Sequence, residues 1–370
     1  MQPEKFRLLF LTAFSHQGGI EKFNRAFLKA FSDIIMNRSV RFSAHVLHDH
    51  SGSIDPCYVE PVKYKSYSGN VFFFIIIQLT AIFRNEVLVL GHLNLSVIGY
   101  VRKLIFPNKK LILICHGIEV FTPVKGIKKK ILQQADQILA VSSFTKEQLI
   151  QLQGVSDSKV TVFPNTIDPF FPLPETFKKP EYLKKRYGLQ EDEKVLFTLT
   201  RLNSREGYKG YDKVLRVLPI LLAKGVSVKY IIAGKADMEE TIRVNRLLDQ
   251  YRLHNHVIIT GFLAEEEIAD HFQLSDVFVM PSKGEGFGIV YIEAMACGLP
   301  VIAGNRDGST EALQFGALGT LIDPDSSEQL TDAIMNVISK ERNPADLQKR
   351  MLEHFSFSKF EKRLEKIFLN

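Results

Sequence analysis

The stretch Val277-Phe-Val-Met-Pro-Ser-Lys-Gly-Glu285-Gly-Phe-Gly-Ile-Val-Tyr-Ile-Glu293-Ala-Met-Ala296 sets two carboxylates eight positions apart across a glycine-rich turn. Residues 277–280 read as a short buried strand, 281–288 as loop and 289–296 as the start of a helix. On one continuous helix, residues eight apart diverge by about 80°. With Glu285 on the loop and Glu293 in the helix, both carboxylates face one cleft from different heights. Gly286 and Gly288 let the backbone approach a ligand closely, and the N–H groups at the helix start offer donors and a positive dipole end to phosphate. Glu293 can accept from two neighbouring hydroxyls, as a ribose presents them. A sugar nucleotide suits this arrangement.

The same alternation of strand and helix runs from end to end, which implies parallel sheets flanked by helices. In the first half, residues 6–12 read as a strand, Gly18-Gly19 as its loop and 20–31 as a helix. Further strands are expected at 44–47, 87–90, 111–114, 138–141 and 160–163. The pattern fails between Asp168 and Pro180, where Pro169, Pro172, Pro174 and Pro180 crowd together. It resumes with strands at 195–199, 229–233, 257–260, 277–280 and 301–303. The expected fold is α/β with two Rossmann-like doubly wound domains facing a cleft: residues 1–170 on the acceptor side, a linker at 171–190, and residues 191–355 for the donor. In the tail, 356–370, Phe357, Phe360, Leu364 and Ile367 recur at helical spacing.

At 370 residues, with 45% hydrophobic and 24% charged, the chain has the composition of two ordinary globular domains. Cys57, Cys115 and Cys297 are odd in number and widely spaced, which argues against a disulfide framework or zinc site and fits a reducing cytoplasm. Met1 to Arg7 is polar and the apolar run after it short, so no cleavable signal is expected. The longest apolar stretch, 71–83, falls short of the ~20 residues that span a bilayer and reads as a buried helix, with a short re-entrant or interfacial segment as the alternative. Residues 1–170 hold 20 Lys and Arg against 12 Asp and Glu, a net +8, while the remainder carries −2. Much of that excess lies at 102–130, where eight cations face one acid, Glu119. Nucleic acid is disfavoured, because no recognition module is present and no aromatics interleave with the charges. An anionic membrane face suits the stretch, with each cation worth about 1 kcal/mol near acidic lipid.

Several shorter motifs fall at the ends of strands. Thr200-Arg201-Leu202 is followed by Tyr208-Lys209-Gly210-Tyr211-Asp212; Ile232-Ala233-Gly234-Lys235 and Gly261-Phe262-Leu263 close the next two strands, and Cys115-His116-Gly117 a strand of the first half. His16-Gln17-Gly18-Gly19 lacks the Gly-x-Gly-x-x-Gly spacing of a dinucleotide site. His45 and His48 point to opposite faces of a strand, which rejects a metal site there. Asp323-Pro-Asp325 reads as turn and capping chemistry rather than metal binding.

Residues 276–312 resemble the signature of the retaining, metal-independent glycosyltransferases of family four, which have the two-domain GT-B fold. The resemblance implies that Glu285 lies by the donor hexose and Glu293 holds the nucleotide ribose, with Gly286, Phe287, Gly288, Ile289 and Val290 completing the donor loop. It implies a diphosphate clamp of Arg201 and Lys209, close donor approach at Gly234, nucleobase contact at Phe262 and Leu263, and phosphate or acceptor contact at Gly19. His116 would lie beside the transferring sugar, and the last helix would cross back onto the first domain. His116, Glu285, Arg201 and Lys209 are thus the candidate catalytic residues. The clamp departs from the commoner spacing by a few residues, among them Arg205.

The expected activity is transfer of a hexose or N-acetylhexosamine from a nucleoside-diphosphate sugar to a sugar or lipid-linked acceptor in bacterial polysaccharide or lipopolysaccharide assembly. No metal and no cofactor are expected. The expected location is cytoplasmic, with peripheral membrane contact. Two rivals share the donor motif: a non-catalytic sugar-nucleotide-binding subunit and a sugar-nucleotide epimerase. A glycosidase is disfavoured, since its two carboxyl groups must flank the scissile bond about 5 to 10 Å apart.

Overall fold

The computed structural model describes residues 5–36 and 40–369. The chain divides into two compact units, Met1–Pro169 with Phe355–Asn370, and Phe170–His354.

The first unit is built on seven parallel strands: β1 (Lys5–Phe10), β2 (Arg41–Val46), β3 (Tyr64–Ser66), β4 (Val87–Leu90), β5 (Leu111–Cys115), β6 (Gln137–Ala140) and β7 (Val160–Val162). Their order is β3-β2-β1-β4-β5-β6-β7. The direction of winding reverses between β1 and β4, which pair with Leu8 opposite Val89. β4 and β5 are buried along their whole length, as parallel strands covered by helices on both faces must be. The three-residue β3 is absent from the sequence reading, because Tyr-Lys-Ser offers neither an apolar run nor a full period of alternation.

The second unit has six parallel strands: β8 (Lys194–Leu199), β9 (Val228–Ala233), β10 (Val257–Gly261), β11 (Val277–Met280), β12 (Val301–Gly304) and β13 (Thr320–Ile322). Their order, β10-β9-β8-β11-β12-β13, reverses between β8 and β11. Open sheets of this kind bind ligands outside the carboxyl ends of the strands at such a switch point. Residues 171–190 belong to this unit and contain the helix Glu181–Tyr187, which buries Leu183 and ends on Gly188 in the left-handed conformation.

The tail forms the helix Phe357–Phe368, whose Phe360, Leu364 and Phe368 are buried. Phe368 meets the rings of Phe6, Phe27 and Phe31 at centroid distances of 5.8, 5.7 and 5.4 Å. Phe27 and Phe31 lie on the helix Gly19–Ile35, so the chain's last helix completes the core of its first unit.

Two expectations need correction. Residues 71–81 do form a helix, but only Phe74, Gln78 and Ala81 are buried, and its outer face is exposed. The basic stretch 102–130, expected to present its cations together as one face, does not do so throughout. Arg102 and Lys103 are buried, Arg102 donating to the Glu86 carbonyl and Lys103 paired with Asp136 at 2.7 Å. Lys129 is likewise engaged, donating to the Gln153 carbonyl.

Candidate active site

Strand β11 ends at Met280, and residues 281–288 carry the chain to the helix Ile289–Ala296. Gly288 caps this helix with φ +85°, in the left-handed region, where a Cβ would also fall 2.4 Å from the Tyr291 ring. Tyr291 is itself fixed by its hydroxyl, which donates to the Met280 carbonyl at 2.9 Å. Glu293 lies one turn into the helix and is 1% exposed. Phe287 and Ile289 are buried, while Gly286 and Val290 are half-buried.

A buried carboxylate holds the loop in place. Asp307 accepts from the Glu285 backbone N–H at 2.8 Å through Oδ2, and from the N–H and hydroxyl of Ser309 through Oδ1. The Gly308 N–H donates to the Glu285 carbonyl at 2.8 Å. A Cβ on Gly308 would fall 2.0 Å from the Gly286 carbonyl oxygen, so glycine is what allows the two loops to close on each other. Burial, then the nearby Glu285 charge, pushes the Asp307 carboxyl above its usual range. Asp307 is a positioning residue that lies within the signature stretch 276–312 but to which the sequence reading gave no role. Its signal was the Asp-Gly-Ser sequence directly after a strand.

The cationic loop is knitted to the same segment. Residues Gly207–Lys209 form a short 3-10 turn ending on Gly210, whose φ is +79° and whose Cβ would strike the Pro281 carbonyl oxygen at 2.4 Å. The Lys283 N–H donates to the Tyr208 carbonyl at 3.0 Å, and the Tyr208 ring fills the space above Gly284. These contacts bring Lys209 Nζ to 2.5 Å from Glu285 Oε1. Burial would lower the Lys209 pKa, but the Glu285 carboxylate and Tyr208 outweigh it and hold the ammonium above its ordinary value. Lys209 is therefore charged at neutral pH.

Arg201 follows β8 and is 68% exposed, paired with Glu206 at 2.9 Å. The second oxygen of Glu206 is buried without a hydrogen bond. Arg205, among the extra residues, is exposed. Gly234, at the end of β9, has φ +139°, and the Thr200 carbonyl oxygen occupies the place its Cβ would take. Its N–H donates to the Gly261 carbonyl at 2.7 Å, which ties the ends of β8, β9 and β10 together. Beyond β10, Phe262 is exposed and Leu263 buried. Arg201, Lys209, Gly234, Phe262, Leu263, Glu285 and Glu293 therefore all lie at or just beyond the carboxyl edge of one sheet.

His116 follows β5 in the first unit. Its Nε2 lies 2.8 Å from the Gly91 carbonyl oxygen, an acceptor only, so Nε2 carries the proton and Nδ1 is left as an acceptor. Burial lowers its pKa to about 4, which makes it neutral at pH 7. The Glu119 carboxylate accepts from the His116 backbone N–H at 2.6 Å, and the Phe23 ring meets the imidazole edge-on at 5.0 Å. Phe23 lies on the helix that Gly19 begins, so Gly19 and His116 share one end of the first sheet. Space is open above Gly19, with nothing within 4 Å of a Cβ placed there.

The motifs read as structural have structural partners. His45 contacts Arg7 at 2.9 Å and the Tyr67 hydroxyl at 2.8 Å, while His48 is exposed. Asp49 accepts from the backbone N–H groups of Ala13, Phe14 and Ser15. Asp323 and Asp325 pair with Arg306 at 2.7 and 2.9 Å, and Ser326 caps the helix that follows. Among the described residues, no three His, Cys, Asp or Glu side chains are grouped to hold a metal ion.

Residues 180–354 match the family model described as Glycosyl transferases group 1, and residues 23–170 match that of Glycosyltransferase Family 4. Between them the two models span most of the chain, which resembles the group 1 glycosyltransferases. It is 31% identical over 249 residues to the GDP-mannose-dependent alpha-(1-6)-phosphatidylinositol monomannoside mannosyltransferase of Mycolicibacterium smegmatis, covering 64% of this chain and 63% of the relative. A Mycobacterium tuberculosis protein of the same description is 32% identical, with 60% and 59% covered. The chain thus spans about three-fifths of the length of these curated relatives. Among solved structures it is similar to Anabaena Alr3699/HepE in complex with UDP and glucose, with TM-score 0.79 and 19% identity over 98% of this chain and 99% of the other. Sucrose-phosphate synthase from Thermosynechococcus elongatus gives TM-score 0.74 at 18% identity, with 99% and 98% covered. These likenesses establish the GT-B fold of the chain.

Proposed function

We propose that the protein is a retaining, metal-independent glycosyltransferase. In this reading it moves a hexose or N-acetylhexosamine from a nucleoside-diphosphate sugar to a sugar or lipid-linked acceptor in bacterial polysaccharide or lipopolysaccharide assembly. The observation that carries the proposal is the Lys209–Glu285 pair, held by Asp307 and Gly308 at the switch point of the second sheet.

A departing diphosphate accumulates negative charge, and fixed cations and backbone donors stabilise it without reorganising. Lys209 supplies a buried ammonium, and Arg201 an exposed guanidinium that can exchange its Glu206 partner for phosphate oxygens in a bidentate grip. The N–H groups at the start of the helix Ile289–Ala296 add dipolar stabilisation. When the diphosphate takes up Lys209, Glu285 is released to accept hydrogen bonds from sugar hydroxyls, while Glu293 accepts from the ribose. His116, on the first unit, is neutral with Nδ1 unprotonated, a state in which it can accept a hydrogen bond from a hydroxyl. The acceptor enters on the face from which the diphosphate leaves, and a phosphate oxygen takes its proton, so that no protein nucleophile is needed.

The relatives described as GDP-mannose-dependent, and the complex of HepE with UDP and glucose, set the donor panel. Calorimetry with GDP-mannose, UDP-glucose and UDP-N-acetylglucosamine is expected to show one tight donor. Diphosphate release from it should depend on an added acceptor and collapse in Glu293→Ala and Arg201→Ala. Absence of binding to every sugar nucleotide overturns the reading, and sugar isomerisation without transfer replaces it with the epimerase. Action at the cytoplasmic face of the membrane, with peripheral contact, completes the proposal.

A further inference from the structure

The helix Val71–Ala81 wears its polarity inside out. Gln78, its single amide, is 1% exposed; Oε1 accepts from Arg7 at 3.1 Å and Nε2 donates to the Tyr67 hydroxyl at 3.2 Å. On the opposite face Phe72 is 77% exposed, with Phe73 and Ile76 beside it. A helix at a protein–water boundary normally shows the reverse arrangement. The apolar surface continues past the helix. The Phe83 ring meets Phe106 edge-on at 5.6 Å, and Leu104 and Ile105 are exposed at the end of the neighbouring helix Ser96–Ile105. Scattered exposed apolar residues are ordinary, but a contiguous group marks a surface that something else covers.

Charge selects the occupant. From Pro61 to Ile118 the sequence contains one acidic residue, Glu86, and it is paired with Arg7 at 2.8 Å. Cations border the apolar face: Lys65 Nζ lies 5.9 Å from the Phe73 ring centre and Lys109 Nζ 4.1 Å from that of Phe106. Lys109 also donates to the carbonyls of Phe83 and Arg84 at 2.9 and 3.0 Å, which places its charge at the carboxyl end of the exposed helix. Arg84 and Lys110 are exposed nearby. An apolar plate with a cationic rim complements a bilayer that contains anionic lipid. The rings enter the acyl boundary, while ammonium and guanidinium groups stay at the depth of the phosphates. No helix among the described residues is long and apolar enough to cross a membrane, and this one has 11 residues.

We propose that Phe72, Phe73, Ile76, Phe83, Leu104 and Ile105 form a monotopic docking surface for an anionic bilayer, on which the helix Val71–Ala81 lies flat. The face belongs to the first unit alone; it rests on the peripheral membrane contact proposed above and is independent of the donor reading of the second unit.

The test is flotation of the full chain with phosphatidylcholine vesicles, prepared with and without phosphatidylglycerol. The native chain is expected to float with the anionic vesicles and to be released by salt. The pair Phe72→Asp and Ile76→Asp should lower the bound fraction about tenfold, and the pair Arg84→Glu and Lys110→Glu should remove the preference for phosphatidylglycerol. Met238→Asp, at an exposed residue of the second unit, should change nothing. Circular dichroism establishes that each variant is folded. Flotation that persists unchanged in Phe72→Asp with Ile76→Asp, or a native chain that never floats, overturns the proposal. So does light scattering that shows a native dimer dissolved by the same pair with no vesicle binding, since the face would then join two copies of the chain.

Discussion

Lys209 and Glu285, 76 residues apart in sequence, sit 2.5 Å from each other with side chains only 13% and 12% exposed. Each neutralises the other in a setting where a lone charge would be poorly solvated. In the proposed function the pair is a preformed station for a ligand that carries both negative phosphate and neutral hydroxyls, because such a ligand can satisfy both residues at once.

Removing both partners should cost less than the sum of removing each alone. Lys209→Met and Glu285→Gln are each expected to destabilise the protein by about 2–3 kcal/mol. The double variant should lose less than the sum, with a coupling of about 1–3 kcal/mol. Urea unfolding of the three variants measures this directly; strict additivity would show that the pair is not coupled in solution.

Gly308 and Gly19 should respond in opposite ways to alanine. At Gly308 a Cβ must displace the Gly286 carbonyl, and Gly308→Ala is expected to lose about 1–3 kcal/mol by overpacking. It should also weaken sugar-nucleotide affinity as the Glu285 loop shifts. Gly19 has open space and a helical position, so Gly19→Ala should keep or gain up to about 1 kcal/mol. Melting temperatures, with donor calorimetry for Gly308→Ala, separate the two cases.

Three buried imidazoles set the acid response of the first unit. Burial lowers His45 to about 3, and His92 and His116 to about 4, from an ordinary value of 6.5. Between those values and 6.5 the unfolded chain binds more protons than the folded one, so stability rises with pH in that window. The contribution is fully present above pH 6.5 and is lost as pH falls toward 4. For His116 the loss between about pH 7 and pH 5 is on the order of 2 kcal/mol. Denaturant unfolding should show a shallower pH slope in His116→Gln than in the native chain; an unchanged slope would mean that His116 titrates normally when folded.

Much of this was legible in the sequence, for identifiable reasons. β4, β5 and β11 are continuous apolar runs between loop residues, and the helix Ile289–Ala296 begins at a glycine cap, so local pattern located them. β3 was not legible because its place in the sheet is fixed by pairing with β2 rather than by its own composition. Asp307 escaped because its role depends on a backbone contact 22 residues away in sequence. The apolar run 71–83 announced a helix but not which side faces inward. That depended on Arg7 and Tyr67, which are distant in sequence and claim Gln78. The cations of 102–130 misled for a related reason: charge counts do not reveal which side chains turn inward to meet carbonyls.

The aromatic cluster of the first unit should be sensitive at its far end. Phe368→Ala removes a buried ring that touches Phe6, Phe27 and Phe31 and is expected to cost about 3–5 kcal/mol. Proteolysis at increasing urea should then cut the first unit before the second; cleavage beginning in the second unit would show that the tail does not limit the first.

That cluster also constrains the order of events during synthesis. The second unit, residues 170–354, has its whole sequence available while the first still lacks one wall, since the rings of Phe6, Phe27 and Phe31 are not covered until Phe368 has left the ribosome. The half of the chain that is made first is therefore the half that is finished last, and until then part of its aromatic face stays open to non-native contacts.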